Sequence, residues 1–581
     1  MTDTTTHRTI TLPTIELPST GVGSGEADLW CTYAAVRTLV WLGRADAVTD
    51  PAGTRDFLLG RANSDGGYAW TRGMPSDAWA TFYCTQALTD LGVAVPRPER
   101  TSAWLRRGFR DGAFAMMPGQ RPDVWATQFS TRTAIDVCHT DVPDRTALLD
   151  WLGGLQTADG GLSWSPEHAA AGNADVRACH YGITAWERLN SVEPTPPPWR
   201  TSALLAWLRG QRCADGGFRF APDAERPCLW ATYRASSALA MLGNRIEQVT
   251  VDWIAARRGP AGGYLRWAGY PVEDVWAAFC AVGSLRAAGI TVQDQAPALV
   301  ERIAAFANPG GGYTYREPAL AADVLSTSAA VLTDQDDPRN PGRRAWLADC
   351  QLPNEGGLMY MPGRGAEVRC TLWGLAAGVL RANPTAAGRI VDWLRRTQNP
   401  DGGFGLWEGR GSELVSTAAA VDAIGLLGRP VAEVIDTTAL RGFLAASGAG
   451  VGFRPVPAAE PTLRAGLQGL RILAALGSPE PARVASLLAD HQVNGGGFAN
   501  TGNRVPDLLS TYEAVLAADR HGIAVDGRRA RRFVDRIRKP TSTAWSPLAP
   551  GDGGPLARCL GALLDRRLTD PSADLPALVL S

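Results

Sequence analysis

One segment recurs along this chain at intervals of 44 to 53 residues. It reads DLWCTYAAVRTLVWLG from Asp28, DAWATFYCTQALTDLG from Asp77 and DVWATQFSTRTAIDVC from Asp123. It continues from Asp175, Cys228 and Asp274, and then from Asp323, Glu367, Glu413, Pro461 and Asp507. A degenerate twelfth copy surrounds GPLARCLGALL. Each copy carries small and apolar residues at helical spacing, and most open on an acid suited to a helix N-terminus. A second helical stretch follows, such as RTALLDWLGGLQ or AGRIVDWLRRTQ, and ends at a Gly-Gly turn: SDGGYAW, ADGGLSW, ADGGFRF, DGGFGLW. Glycines just past a helix supply its left-handed cap and the reversal that follows.

A repeat of this length means that one unit decides the whole fold. Helical hairpins can stack as an open solenoid or close into a ring. Small residues along the first helix of each pair favour a crowded inner ring, and about twelve helical hairpin repeats divide into two rings of six. The expected fold is therefore all-α, two tandem (α/α)6 toroids, over residues 20–318 and 319–581, after an extension of residues 1–19. In each ring the acidic helix N-termini should gather at one rim.

Charge and composition remove several functions. A net charge of −1 gives no reason to expect nucleic acid as partner. Lys539 is the only lysine, in RIRKPTS, which leaves Schiff-base chemistry one poor candidate. The ten cysteines include no C-x-x-C pair, no apolar run is long enough to span a bilayer, and the N-terminus has no signal-peptide core. These features lead to the expectation of a cytoplasmic protein with reduced thiols, and leave peripheral membrane contact open.

The Gly-Gly-aromatic turns and openings such as DLLSTYEAVLA resemble the repeats of protein prenyltransferase β subunits, squalene–hopene cyclases and class II diterpene cyclases. The resemblance covers nearly the whole chain. Two barrels in one chain favour the cyclases, which implies an isoprenoid substrate and proton-initiated chemistry. Mg²⁺ would then be expected only with a diphosphate substrate, and otherwise no cofactor. The prenyltransferase zinc positions fall on Glu367, Arg369 and Val415, which cannot form that site.

The cyclase acid motif, Asp-x-Asp-Asp-Thr, falls in register on Asp323-Val324-Leu325-Ser326-Thr327. Its outer Asp and its Thr are present, but Leu325 stands where the acid should be, and an alkyl chain cannot donate a proton. The same letters occur at Asp334-Gln335-Asp336-Asp337, at the far end of that helix and directly before a proline. That placement makes a solvated turn the expected reading, with Asp336 as a relocated acid the alternative.

Other candidates lie in the first ring. Fifteen of the twenty tryptophans precede residue 300. Trp30, Trp79, Trp125, Trp230 and Trp276 share one repeat position, followed a turn later by Tyr33, Phe82, Tyr233 and Phe279. These rings either line an isoprenoid-sized funnel, with π faces able to stabilise a cation, or plug the barrel. Asp274 leads the candidate acids because it follows Glu273, the one adjacent acidic pair at that rim; Asp123 and Asp77 stand behind it. Compensation of the helix dipole is the competing explanation for all of them. Cys179 and His180, with Cys31 as a third ligand, are a zinc alternative resembling lanthionine cyclases. Three readings follow: a non-standard terpene cyclase, a non-catalytic isoprenoid- or partner-binding toroid, and a zinc-dependent prenyltransferase or cyclase-like enzyme.

Overall fold

A computed structural model describes residues 21–580 apart from 293–295, 458, 503 and 550. The extension 1–19 therefore lies outside the described residues. Twelve inner helices define the architecture. In the first barrel they are α1 (Leu29–Trp41), α2 (Ala78–Asp90), α3 (Val124–Arg132), α4 (Val176–Val192), α5 (Leu229–Met241) and α6 (Val275–Ala287). In the second they are α7 (Val324–Thr333), α8 (Val368–Ala376), α9 (Leu414–Leu426), α10 (Leu463–Ala475), α11 (Leu508–His521) and α12 (Gly554–Thr569). Each packs on its neighbours, α6 returns to α1 and α12 to α7, so both sets close into six-membered rings.

The inner helices are buried almost all round; α6, for example, buries every residue from Val275 to Leu285. A helix with no wet face belongs at the centre of a fold. Outer helices show the opposite pattern. Gly527–Ile537 buries Ala530, Phe533, Val534 and Ile537 and turns its arginines outward. The degenerate twelfth copy is a full inner helix, α12.

Two features of each repeat set its geometry. Gly160 sits at φ 103°, where a Cβ would come 2.8 Å from the Ala203 carbonyl, and a Cβ on Gly161 would come 2.7 Å from the Trp207 ring. The outer helix thus packs directly on the turn backbone, which is why two glycines stand there. The residue after the turn then donates its amide to a threonine on the inner helix. The pairs include Tyr68 to Thr81 at 3.0 Å, Phe218 to Thr232 at 3.0 Å and Phe498 to Thr511 at 3.0 Å. On seven inner helices the opening aspartate caps its own N-terminus, as when Asp77 Oδ1 accepts the Ala80 amide.

The N-terminal residues cross the expected boundary between the rings. Val22 donates its amide to Thr327 and accepts from the Asp323 amide, so residues near the start of the chain complete the second barrel's first repeat. The first barrel closes where Tyr313, in the last turn, pairs with Asp28 and donates its amide to Thr32.

Candidate functional site

The two barrels meet rim to rim, with the N-termini of both sets of inner helices facing each other. The seam is built from arginines of two Gly-Arg-Gly turns and from the rims they reach. Arg364 lies 2.6 Å from Asp28 in the other barrel, and stacks over Trp30, Trp70 and Tyr360. Gly411 donates its amide to Asp123 Oδ2 at 3.3 Å, and Arg410 beside it is buried. Arg177, from the first barrel, pairs with its own Asp175 and reaches Glu408 at 2.8 Å. Arg364 and Arg177 are held this deep by their carboxylate partners, and the Arg410 guanidinium lies 5.5 Å from the centre of the Trp407 ring.

Glycine is required where the Arg364 turn crosses the seam. Gly363 has φ 92°, and a Cβ there would lie 2.8 Å from Asp274 Oδ1. The Arg364 turn therefore closes directly over Asp274. Asp274 Oδ1 accepts the Ala277 amide, while Oδ2 is buried without a partner among the described residues. Burial raises the Asp274 carboxyl to about 6, and does the same at Asp123 and Asp323; Asp77 is raised for the same reason. Glu273 points elsewhere. It accepts the amides of Ala261 and Gly263 and pairs with Arg302, so it braces a repeat turn.

The tryptophan stripe forms a closed layer just beneath this rim. Trp30 contacts Trp79 and Trp276 at 4.7 Å between ring centroids and Trp230 at 6.0 Å, and Trp79 meets Trp125 at 4.9 Å. All five are at most 4% exposed. Trp407 of the second barrel joins at 5.1 Å from Trp79. The next layer brings Tyr33, Phe82, Tyr233 and Phe279 together, with His180 at 5.5 Å from Tyr233. At the level of the tryptophans the rings therefore pack on one another and do not stand back around a funnel.

The zinc set is not assembled. Cys179 Sγ accepts the Leu162 amide, His180 lies in the aromatic layer, and Cys31 sits 3.8 Å from Met361 across the seam. Successive residues on a helix point about 100° apart, so Cys179 and His180 diverge. Among the described residues no three His, Cys, Asp or Glu side chains converge to hold a metal ion. Asp336 is exposed on the turn after α7, two residues before Pro338.

Clefts open along the seam. One, of about 90 Å³, is lined by Asp28, Asp323, Arg61, Trp70, Tyr315 and Tyr360. A larger one, of about 360 Å³, brings Asp123 together with His168, Arg110, Arg121, Arg410 and Trp151. His168 Nδ1 lies 2.9 Å from Ser165 Oγ, and burial lowers its pKa, which keeps the imidazole neutral. A carboxyl held near 6, a neutral imidazole and three guanidinium groups thus share one wall-to-wall space.

His168 and the seam arginines were not anticipated from the sequence. The repeated spelling MPGRGAEV and WEGRGSEL was the available signal for Arg364 and Arg410. Nothing local marks His168, which reaches the cleft from a short helix between repeats, Pro166–Ala170.

An all-α double toroid with paired N-terminal rims is the class that this geometry defines. The family described as the prenyltransferase alpha-alpha toroid domain matches residues 8–78, 69–264, 179–364, 371–453 and 463–543, and the chain belongs to that family. Drimenyl diphosphate synthase of Streptomyces showdoensis is 30% identical over 235 residues, 38% of this chain and 43% of that protein. Drimenyl diphosphate synthase of Streptantibioticus cattleyicolor is 32% identical over 241 residues, covering 36% of this chain and 44% of the relative. The chain thus spans less than half the length of these curated relatives. Among solved structures, ent-copalyl diphosphate synthase from Streptomyces platensis aligns over 92% of this chain and 94% of its own, at 16% identity and a TM-score of 0.37. Among the described residues no helix is long and apolar enough to cross a membrane.

Proposed function

We propose that this chain is a non-standard terpene cyclase that acts on a prenyl diphosphate or a related isoprenoid chain by proton-initiated cyclisation or isomerisation. The observation that carries this reading is Asp123, a buried carboxyl raised to about 6 at the wall of the 360 Å³ cleft. Near neutral or mildly acidic pH a share of such a carboxyl stays protonated and can act as a general acid. It would add its proton to a terminal alkene carbon, the π pair forming the new C–H bond. The next double bond then closes on the tertiary cation. His168, neutral in the same cleft, accepts the proton lost at the end, so the sum is an isomerisation. Arg110, Arg121 and Arg410 would hold the diphosphate by charge-assisted hydrogen bonds. The cleft volume is at the lower end for a small-molecule site.

Purified protein incubated with C10 to C30 prenyl diphosphates and with squalene, followed by mass spectrometry, tests this. Isomeric product that disappears in Asp123→Asn is the expected result, with turnover falling above a pH of about 6. Product formed equally by Asp123→Asn and wild type removes Asp123 from the role. A second reading is favoured by Leu325 in the acid register and by the packed tryptophan layer: a non-catalytic isoprenoid-binding toroid. Tight isoprenoid binding with no product from any substrate selects it.

A further inference from the structure

Positive charge is concentrated in one part of the second barrel. Between Arg520 and Thr569 the chain carries eleven arginines and lysines against four acids, although its net charge is −1. Seven of the eleven lie on or directly after the outer helix Gly527–Ile537, whose inward side is Ala530, Phe533, Val534 and Ile537. Part of this charge is neutralised locally. Arg529 pairs with Asp526 at 3.2 Å, and Arg531 and Arg538 share Asp565 at 3.0 and 2.7 Å. Arg528, Arg532 and Arg536 are exposed and form no ion pair among the described residues.

These three arginines follow one another at four-residue intervals, so they form one stripe on the side opposite the buried one. Like charges at that spacing repel and weaken a helix. The stripe is therefore unfavourable for the fold, and no carboxylate among the described residues compensates it. The turn after the helix carries Leu548, which at 73% exposed is the most exposed large apolar side chain among the described residues. That turn is tied back to the helix end, because Arg538 pairs with Thr543 and Ala544 donates its amide to the Ile537 carbonyl. Lys539 and Arg558, both exposed, precede and follow it in the chain. Uncompensated arginines thus stand beside a single projecting leucine.

We infer that this face of the second barrel docks on an anionic bilayer surface, with the arginine stripe against lipid phosphates and Leu548 entering the apolar region at its edge. Guanidinium forks match phosphate oxygens, and each basic residue near an anionic leaflet strengthens partitioning about fivefold. An acidic protein would satisfy the stripe by charge, but a leucine projecting outside any groove fits a partner with a hydrocarbon interior. The helix keeps its own apolar side in the barrel, so the contact is peripheral and mainly electrostatic. The first barrel supplies the opposite sign: residues 136–193 carry nine acids against three arginines. A negatively charged surface repels that part of the molecule while it attracts this one. The inference does not rest on the chemistry proposed for the seam clefts.

The full-length chain is mixed with vesicles of phosphatidylcholine, with and without phosphatidylglycerol, and sedimented over a range of salt concentrations. The expected result is binding to the anionic vesicles alone, lost at high salt. The triple variant Arg528→Gln, Arg532→Gln, Arg536→Gln should bind about a hundredfold more weakly, and Leu548→Ser about tenfold more weakly. All four positions are exposed, and circular dichroism checks that both variants fold. Equal binding to both kinds of vesicle, binding to neither, or unchanged binding by either variant overturns the inference. Tighter binding to poly-glutamate than to the anionic vesicles, unaffected by Leu548→Ser, assigns the face to an acidic protein and overturns it as well.

Discussion

Arg364 of the second barrel and Asp28 of the first lie 2.6 Å apart, and both side chains are more than four-fifths buried. This pair spans the seam, and the same guanidinium stacks on aromatic rings from both barrels. Its loss would leave Asp28 uncompensated next to a buried aromatic face. Arg364→Ala is therefore expected to destabilise the chain by about 3–5 kcal/mol, and Arg364→Lys to recover only part of that, since lysine has no planar fork. Thermal unfolding of both variants checks this; equal Tm for Arg364→Ala and wild type would sink it.

Thr232 takes the Phe218 amide at 3.0 Å, in a contact repeated around both rings. Thr232→Val keeps the shape and removes the acceptor, which leaves a buried N–H unpaired. The expected loss is about 1–3 kcal/mol, measured by denaturant unfolding, while Thr232→Ser should stay close to wild type. The contrast between the two variants matters here, because Thr232→Ser gives up a methyl but keeps the acceptor, whereas Thr232→Val keeps the volume and loses the acceptor.

At Gly161 a methyl group would overlap the Trp207 ring. Gly161→Ala should cost about 1–3 kcal/mol by overpacking. Combining it with Trp207→Leu should recover only part of the loss, because the Ala174 methyl, 2.5 Å from the same position, stays in place. Additive losses in the double variant would argue against this contact as the cause.

Asp123, Asp274 and Asp323 have carboxyls raised to about 6 by burial. Between an ordinary value near 4 and about 6 the folded chain keeps protons that the unfolded chain has lost. Stability therefore falls as pH rises across that window. Asp274→Asn removes one of these protons from the balance while keeping a side chain able to cap α6. The fall in Tm between pH of about 4 and 6 should become shallower in this variant. An unchanged slope would show that Asp274 does not titrate there.

Asp336 is exposed on the turn between α7 and the outer helix Asn340–Asp349. Asp336→Asn should shift stability by no more than about 0.5 kcal/mol and leave product formation unchanged. Loss of product in this variant alone would return the acid to DQDD.

The retained Asp and Thr of DVLST now have a structural explanation. Asp323 caps α7 through the Ser326 amide, and Thr327 takes the Val22 amide. Their counterparts in other repeats do the same work, so these letters report the repeat and say nothing about acid chemistry. The helix periods, the acidic caps, the glycine pairs and the threonines are all local, and each is written within a few residues of the contact it makes. That is why the two rings and the capped rim could be read from the chain alone.

The centres of the barrels could not be read that way. Whether five tryptophans stand around a funnel or close over it depends on ring-to-ring distances across six helices, and no spacing in the sequence encodes them. The placement of Asp123 and His168 in one cleft, of Arg364 against Asp28 and of Val579 against Trp373 joins residues 45 to 336 positions apart. Repetition along the chain determined the scaffold, because every repeat makes the same short-range contacts. Tertiary packing alone decided which carboxyl faces a cavity and what fills each bore, because burial and pairing are properties of the closed ring.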